Sequence, residues 1–366
     1  MIRRAVIDPV WLPVAMILTV VLLAAGLVGT LAAPLSRRHR PLRLALFGVF
    51  YLLLDACLVV CCAALWLRHP LPGRRDEARW SDAHLRLLRR ALTLIVAVAG
   101  RLLGFGVEVQ EPPHAAAIAG RPLLVMARHG GPGDSFALAD LLVSRYQRRL
   151  AIVLTETLRW DPGLDVILSR LPSCFIRRGE RHAASEQMAE LARRLGPQDA
   201  ILLFPEGGNW TPHRHVRAIR RLRKTGSRQA AADAANNPHV LPPQPTGLLA
   251  CLRSRPDLDV AVVAHTGLDD LVSPAMIWRA LPVSGRPMVI RWWHNPAAAM
   301  PGSDPARREW LRLQWAIVDS WIGSRKAARA DRADHFHPWL PAWRAPTRPA
   351  CGEPGRPPDV WPCQRG

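Results

Sequence analysis

Apolar residues are unevenly spread along this chain. Val10 to Leu35 is almost wholly apolar, and Leu44 to Leu67 repeats the pattern after a basic connector. A bilayer core of about 30 Å is crossed by about 20 helical residues. Each run is therefore long enough to span, and the first is too long for the apolar part of a signal peptide. Asp55 is the one charge inside the second run. An acidic side chain at that depth turns toward protein or water, which predicts a structural partner for it. From Ser81 to about Gly106 apolar residues recur at helical spacing (Leu85, Leu88, Leu92, Ile95). That pattern predicts a helix capped by Ser81 or Asp82, either lying on the membrane or buried in a core.

From Arg121 to about Trp321 the pattern changes. Leu123–Ala127, Ala151–Thr155, Cys174–Arg177, Ala200–Phe204, Asp259–Ala264 and Pro287–Trp293 are short apolar runs of the kind found in strands buried on both faces. Between them Ser135–Gln147, His182–Leu195 and Pro305–Ile322 read as helices. The alternation predicts an α/β domain. The chain thus divides into a helical hairpin of transmembrane or re-entrant form (1–70), an amphipathic helix (71–106), the α/β domain (107–326) and a Pro- and Arg-rich tail (327–366) expected to be unstructured.

Charge adds a partner class. The formal net charge is +20, carried mostly by arginine, which suits a lipid surface, nucleic acid or a phosphorylated substrate. Nucleic acid is not expected, because no nucleic-acid-binding module is recognisable and two membrane-length segments would go unexplained. Arg37, Arg38, Arg40 and Arg43 precede the second apolar run, and Arg68, Arg74, Arg75 and Arg79 follow it. Positive residues favour the cytoplasmic side. Two full spans place one cluster on the wrong side, whereas a re-entrant hairpin keeps both inside, and both arrangements stay open. The seven cysteines contain no Cys-x-x-Cys pair, which points to reduced thiols and a cytosolic face.

Two segments carry candidate chemistry. In RHGGPGDSF (128–136), His129 leaves a predicted strand and Asp134 opens the next helix. A carboxylate five residues on, across a glycine-rich turn, can hold one imidazole nitrogen and leave the other as a general base. The alternative is an ordinary helix cap beside a strand-end histidine. HGG also resembles an esterase oxyanion segment, but no Gly-x-Ser-x-Gly elbow accompanies it. In LLFPEGGNW (202–210), Glu206 ends an apolar strand, and Gly207 and Gly208 offer backbone N–H groups to an anion. A basic run follows, with Arg214, Arg217, Arg220, Arg221, Arg223 and Lys224. His213 and His215 lack nearby carboxylates or cysteines, so no metal site is expected.

These blocks, in this order and spacing, resemble the PlsC-like glycerophospholipid acyltransferases. The resemblance covers roughly residues 105–270. His129 and Asp134 match the family's His-x4-Asp block. Phe175, Ile176 and Arg178 match its Phe-Ile-x-Arg block, and Phe204, Pro205, Glu206 and Gly207 match Phe-Pro-Glu-Gly-Thr-Arg. The stretch His239 to Ala264 further resembles the lysocardiolipin acyltransferase branch. The resemblance implies a mixed, mostly parallel sheet flanked by helices behind an N-terminal membrane hairpin. It also implies acyl transfer from acyl-CoA or acyl carrier protein to a lysophospholipid hydroxyl, at a cytoplasmic (inner) membrane face, with no bound cofactor.

In that reading His129 is the base and Asp134 orients it. Phe175, Arg178, Glu206, Gly207 and Gly208 bind substrate, Glu206 either holding acceptor hydroxyls or bracing its loop. Gly208 and Asn209 stand where the family has Thr-Arg, so the missing phosphate ligand is sought first in Arg178, then in Arg214 and Arg217. Two rival readings are an acyltransferase acting on a glycolipid and a non-catalytic lipid-binding protein with a degenerate acyltransferase domain.

Overall fold

The computed structural model describes residues 2–32, 39–68, 76–110, 120–131, 133–177, 179–269, 271 and 273–334. The N-terminal apolar runs are helices α1 (Ile2–Ala32) and α2 (His39–Arg68). They pack antiparallel, with Gly29 facing Pro41, Gly26 facing Ala45 and Leu22 against Gly48. Each is long and apolar enough to cross a membrane. Large side chains such as Met16, Val20 and Leu31 are exposed on α1, an apolar surface that lipid would cover.

Asp55 on α2 is buried and accepts a hydrogen bond from the Gly163 N–H at 2.7 Å. Tyr51, one turn earlier, donates to Asp161 at 2.5 Å. Residue 163 must be glycine here: a Cβ would lie 2.1 Å from Asp55 Oδ1. The expected structural partner of Asp55 is thus the backbone of the α/β unit, and the hairpin is fastened to that unit by polar contacts.

The next helix, α3 (Glu77–Leu103), buries Trp80, His84, Leu88, Ala91, Leu92, Ile95 and Ala99 along one stripe. That stripe packs against the α/β unit, and the opposite face of the helix, with Leu94, is exposed. Its cap is Asp76, which accepts from Ala78 and Arg79 N–H, so the helix starts about one turn before the expected Ser81 or Asp82. Those two residues instead meet the Arg149 side chain.

The rest of the compact unit Met1–Arg325 is an α/β sandwich. Its strands are β1 (Val107–Gln110), β2 (Leu123–Ala127), β3 (Arg149–Thr155), β4 (Ser173–Ile176), β5 (Asp199–Leu203), β6 (Asp259–Thr266) and β7 (Met288–Asn295). They form one sheet in the order β1-β7-β6-β2-β5-β3-β4. All pairings are parallel except β6 with β7. The helices are α4 (Asp134–Asp140), extended by a π turn over 141–145, α5 (Pro162–Leu168), α6 (Arg181–Arg193), α7 (Pro212–Lys224), α8 (Arg228–Asn236), α9 (Thr246–Ser254), α10 (Pro274–Ala280) and α11 (Asp304–Asp334).

Side chains alternate across each strand, and the two cores follow that alternation. Leu123, Val125, Ala127, Ile152 and Leu202 pack with α2 to α5, whereas Leu124, Met126, Val153, Ile201 and Leu203 pack with α6, α9 and α11. Both faces of β2 are covered, so all five of its residues are buried. Helix α11 continues through Asp334, past residue 327 where the unstructured tail was expected to begin. Residues 335–366 lie outside those described.

Candidate active site

The His129 loop leaves the C-terminal end of β2 at a sheet centre, where parallel α/β sheets place their sites. The neighbouring loop after β5 is tied to it by a 2.7 Å bond from Trp210 N–H to the His129 carbonyl. His129 Nδ1 lies 2.9 Å from Asp134 Oδ2. The same oxygen accepts the N–H groups of Gly130 at 2.9 Å and Gly131 at 3.2 Å. Ser135 donates to the other oxygen at 3.1 Å. This close turn needs glycine: a Cβ on Gly131 would stand 2.7 Å from the Leu268 carbonyl oxygen.

Asp134 is fully buried. Burial alone would raise its pKa. Hydrogen bonds from His129 and His265 and the charge they place beside it outweigh burial and hold the carboxyl well below the usual range. An anion on Nδ1 fixes the imidazole so that Nε2 is the nitrogen left to take a proton. The ring packs on Phe204, centroids 4.5 Å apart.

Behind the pair lies a buried polar layer. Arg128 is fully buried, is ion-paired with Asp269, and donates to the carbonyls of His265 (3.0 Å) and His239 (2.8 Å). Glu206 faces this layer: its Oε1 accepts Trp315 Nε1–H from α11 at 3.1 Å. Burial pushes its pKa up to about 8, against the lowering influence of Arg128, the Trp315 N–H and the Leu241 backbone. Of the two roles expected for Glu206, acceptor binding and bracing of the loop, this setting favours bracing.

A pH dependence follows. The unfolded carboxyl titrates near its ordinary 4.5, so between that value and the folded one the native chain keeps a proton that the unfolded chain has lost. The stability Glu206 contributes is complete below the lower value and is lost as pH rises through the upper one. Glu206→Gln keeps an oxygen for Trp315 and removes the titration. Thermal unfolding in detergent from about pH 5 to about pH 8 is expected to show a smaller decline for the variant than for the native chain. Parallel declines would show that Glu206 ionises freely.

His129 opens onto a cavity of about 820 Å³. Its walls are mostly apolar: Leu88 and Leu92 from α3, Phe136 from α4, Leu154 from β3, Leu164 and Leu168 from α5, and Met188 from α6. Gly207 and Gly208 line it, as do the polar side chains of Ser135, Thr155, Arg177, Arg221 and Gln244. Gly207 N–H donates to the Phe204 carbonyl at 3.1 Å and closes the turn. The Gly208 N–H is the one of the pair not used in that bond.

The remaining expected residues are placed differently. Phe175 packs into the core beneath the Arg159 guanidinium, 4.4 Å from the ring centroid, while its neighbours Ile176 and Arg177 reach the cavity. Arg178 lies outside the described residues. Arg214 and Arg217 are exposed on α7 and do not line the cavity, and Arg214 donates to the Asn209 carbonyl at 3.0 Å.

Residues that motif reading passed over complete the site: Arg128, Arg177, Arg221, Gln244 and His265. Arg221 stood in the basic run without being singled out, and Arg128 left a local signal of its own, as a charge set directly against a fully apolar strand, which demands a buried partner.

A family model described as Acyltransferase matches residues 106–244. A lyso-ornithine lipid O-acyltransferase of Rhizobium meliloti (strain 1021) is 26% identical over 261 residues, covering 71% of this chain and 68% of the relative. The crystal structure of the 1-acyl-sn-glycerophosphate (LPA) acyltransferase PlsC from Thermotoga maritima superposes with a TM-score of 0.45 at 17% identity, covering 77% of this chain and 98% of that one.

Proposed function

We propose that this chain, whose residues 106–244 match the acyltransferase family model, is a membrane-bound O-acyltransferase that moves a fatty acyl group from a thioester, acyl-CoA or acyl carrier protein, onto the hydroxyl of a single-chain lyso-lipid. The observation that carries this reading is the His129–Asp134 pair, 2.9 Å apart, on the wall of a large apolar cavity. A degenerate, merely lipid-binding domain has no use for a buried carboxylate ringed by donors in this way.

In this mechanism His129 Nε2 takes the proton of the acceptor hydroxyl as its oxygen attacks the thioester carbonyl carbon. The carbonyl oxygen gains the negative charge, and in this reading the N–H of the cavity-lining Gly208 stabilises it. Collapse of the adduct breaks the C–S bond, and the imidazolium returns its proton to the leaving thiolate. Asp134 supports the imidazolium and stays ionised throughout. The apolar walls hold the hydrocarbon chains, and the hairpin of α1 and α2 keeps the site at a membrane. We place that surface on the cytoplasmic side on the strength of the two arginine clusters flanking α2.

The acceptor head group is the finer question. Among the described residues Arg177 and Arg221 are the arginines lining the cavity; Arg177 is paired with Glu156 at 2.7 Å, so Arg221 is the one that suits an anionic head group such as the phosphate of a lysophospholipid. A second reading is an amino-acid-headed lyso-lipid, whose carboxylate would take the place of phosphate. Two observations favour it: Asn209 stands where the motif has arginine, and the relative above is named for a lyso-ornithine lipid. Assay of the purified protein on 1-acylglycerol-3-phosphate and on lyso-ornithine lipid, each with acyl-CoA and with acyl carrier protein, separates the readings. Arg221→Ala is expected to weaken use of the true acceptor roughly 10-fold or more, as loss of a charge-assisted bond does, with donor affinity much less changed. Absence of transfer to every lyso-lipid tried, glycolipids included, would overturn the proposal.

A further inference from the structure

His265 stands at the end of β6, beside β2 in the sheet, and is fully buried. The parallel register that pairs Ala127 with Val263 brings His265 level with His129, one strand over. Its Nε2 lies 2.9 Å from the Arg128 carbonyl oxygen and 3.4 Å from Asp134 Oδ2. A carbonyl can only accept, so Nε2 carries the hydrogen, and the bond is shared between that carbonyl and the carboxylate. Nδ1 of the same ring is buried without a hydrogen-bond partner. The ring leaves no room for a side chain at position 130, where a Cβ would lie 3.0 Å from its Cε1.

Two histidines thus converge on one oxygen of Asp134, one facing the cavity and one sealed behind it. We infer that His265 is a positioning residue for acyl transfer, holding Asp134 Oδ2 on the line to His129 Nδ1 and drawing off part of its charge. The inference rests on the reading of His129 as the base.

Its consequence is a shift in pH dependence. The titratable and charged groups facing this spot are His129 and Arg128 from the β2 end, Asp134 from α4, Asp269 from the loop after β6, and Glu206 from the β5 end. With the His265 donor gone, Asp134 puts its full charge on His129. The imidazolium is then favoured, and the acidic limb of the turnover profile moves to higher pH. A residue that served only packing would change the amount of folded protein and leave that limb in place.

The experiment measures turnover per folded, detergent-solubilised enzyme for His265→Phe and His265→Gln, alone and with Asp134→Asn. His265→Phe is expected to lower kcat on the order of 10-fold with KM little changed, and to move the acidic limb upward by a measurable fraction of a pH unit. His265→Gln, which keeps an N–H, is expected to recover at least a third of native turnover. In the Asp134→Asn background, His265→Phe should add less than about 2-fold, because contributions routed through one group are not additive. An unmoved limb, or fully multiplicative losses, would overturn the inference. If His265→Phe does not fold, a folded His265→Gln with turnover down on the order of 100-fold does the same. His129→Ala is measured alongside: a variant that still turns over removes the underlying general-base reading, whereas a dead His129→Ala with an unaffected His265→Phe removes this inference alone.

Discussion

With His129 as the proposed general base, purified His129→Ala is expected to keep its fold while losing about 10²–10⁴-fold in turnover, the usual cost of removing such a base. The side chain is partly exposed to the cavity and makes no contact on which the sheet depends, since its ring touches Phe204 and its Nδ1 meets Asp134. Asp134→Asn is expected to be nearly as severe for a different reason. The amide is isosteric but neutral, so the two N–H groups of Gly130 and Gly131 lose an anion to point at, and the imidazolium loses its counter-charge. Asn can also present its NH₂ to Nδ1, which would favour the wrong tautomer. Turnover on the true lyso-lipid, normalised to folded enzyme, checks both variants. If His129→Ala kept more than about a tenth of native turnover, proton abstraction would have to be assigned elsewhere in the cavity.

The two histidines show how much of such a site a sequence discloses. His129 and Asp134 stand close along the chain across a glycine-rich turn, so their meeting is a local event that spacing can predict. His265 is brought to the same oxygen only by the pairing of β2 with β6, and nothing around residue 265 signals it. The same distinction holds for the fold. Strands β2, β5 and β6 are covered on both faces and appear as unbroken apolar runs. Val107–Gln110 (VEVQ) at the sheet edge is partly exposed, alternates with polar residues, and was not expected as a strand.

Motif matching also selects residues without showing which way they point. Phe175 and Ile176 are adjacent in a strand and therefore face opposite layers, the first toward Arg159 and the second toward the cavity. On α7, Arg214, Arg217 and Arg221 fall at spacings of three and four and share a face. Which of them reaches the cavity depends on the direction in which the helix leaves the Glu206 loop, and that direction is set by tertiary bonds such as Trp210 N–H to the His129 carbonyl.

The largest expected loss of stability lies in the layer beneath the site. Arg128 and Asp269 form an ion pair with side chains essentially inaccessible to water. Asp269 also accepts Thr266 Oγ1–H at 2.7 Å and Gly267 N–H at 3.0 Å, so it organises the turn after β6 as well as balancing the guanidinium. Truncating one partner of such a pair leaves the other charge buried and uncompensated, a loss of about 3–5 kcal/mol. For a unit of this size that corresponds to a fall in Tm on the order of 5–10 °C. Asp269→Ala is therefore expected to unfold well below the native chain. Asp269→Asn, which keeps an oxygen for Thr266 and Gly267 but not the charge, is expected to fall between the two. Arg128 would not be freed by either change, because its remaining donors stay on the His239 and His265 carbonyls. The penalty shared by both variants is thus one of charge burial, and Asp269→Ala adds to it the orphaned donors of Thr266 and Gly267. The intermediate position of the Asn variant is the diagnostic outcome in thermal unfolding monitored in detergent. An Asp269→Ala protein melting within a degree or two of native would mean that water reaches Arg128, and the layer beneath His129 would then not be the dry, fixed support described above.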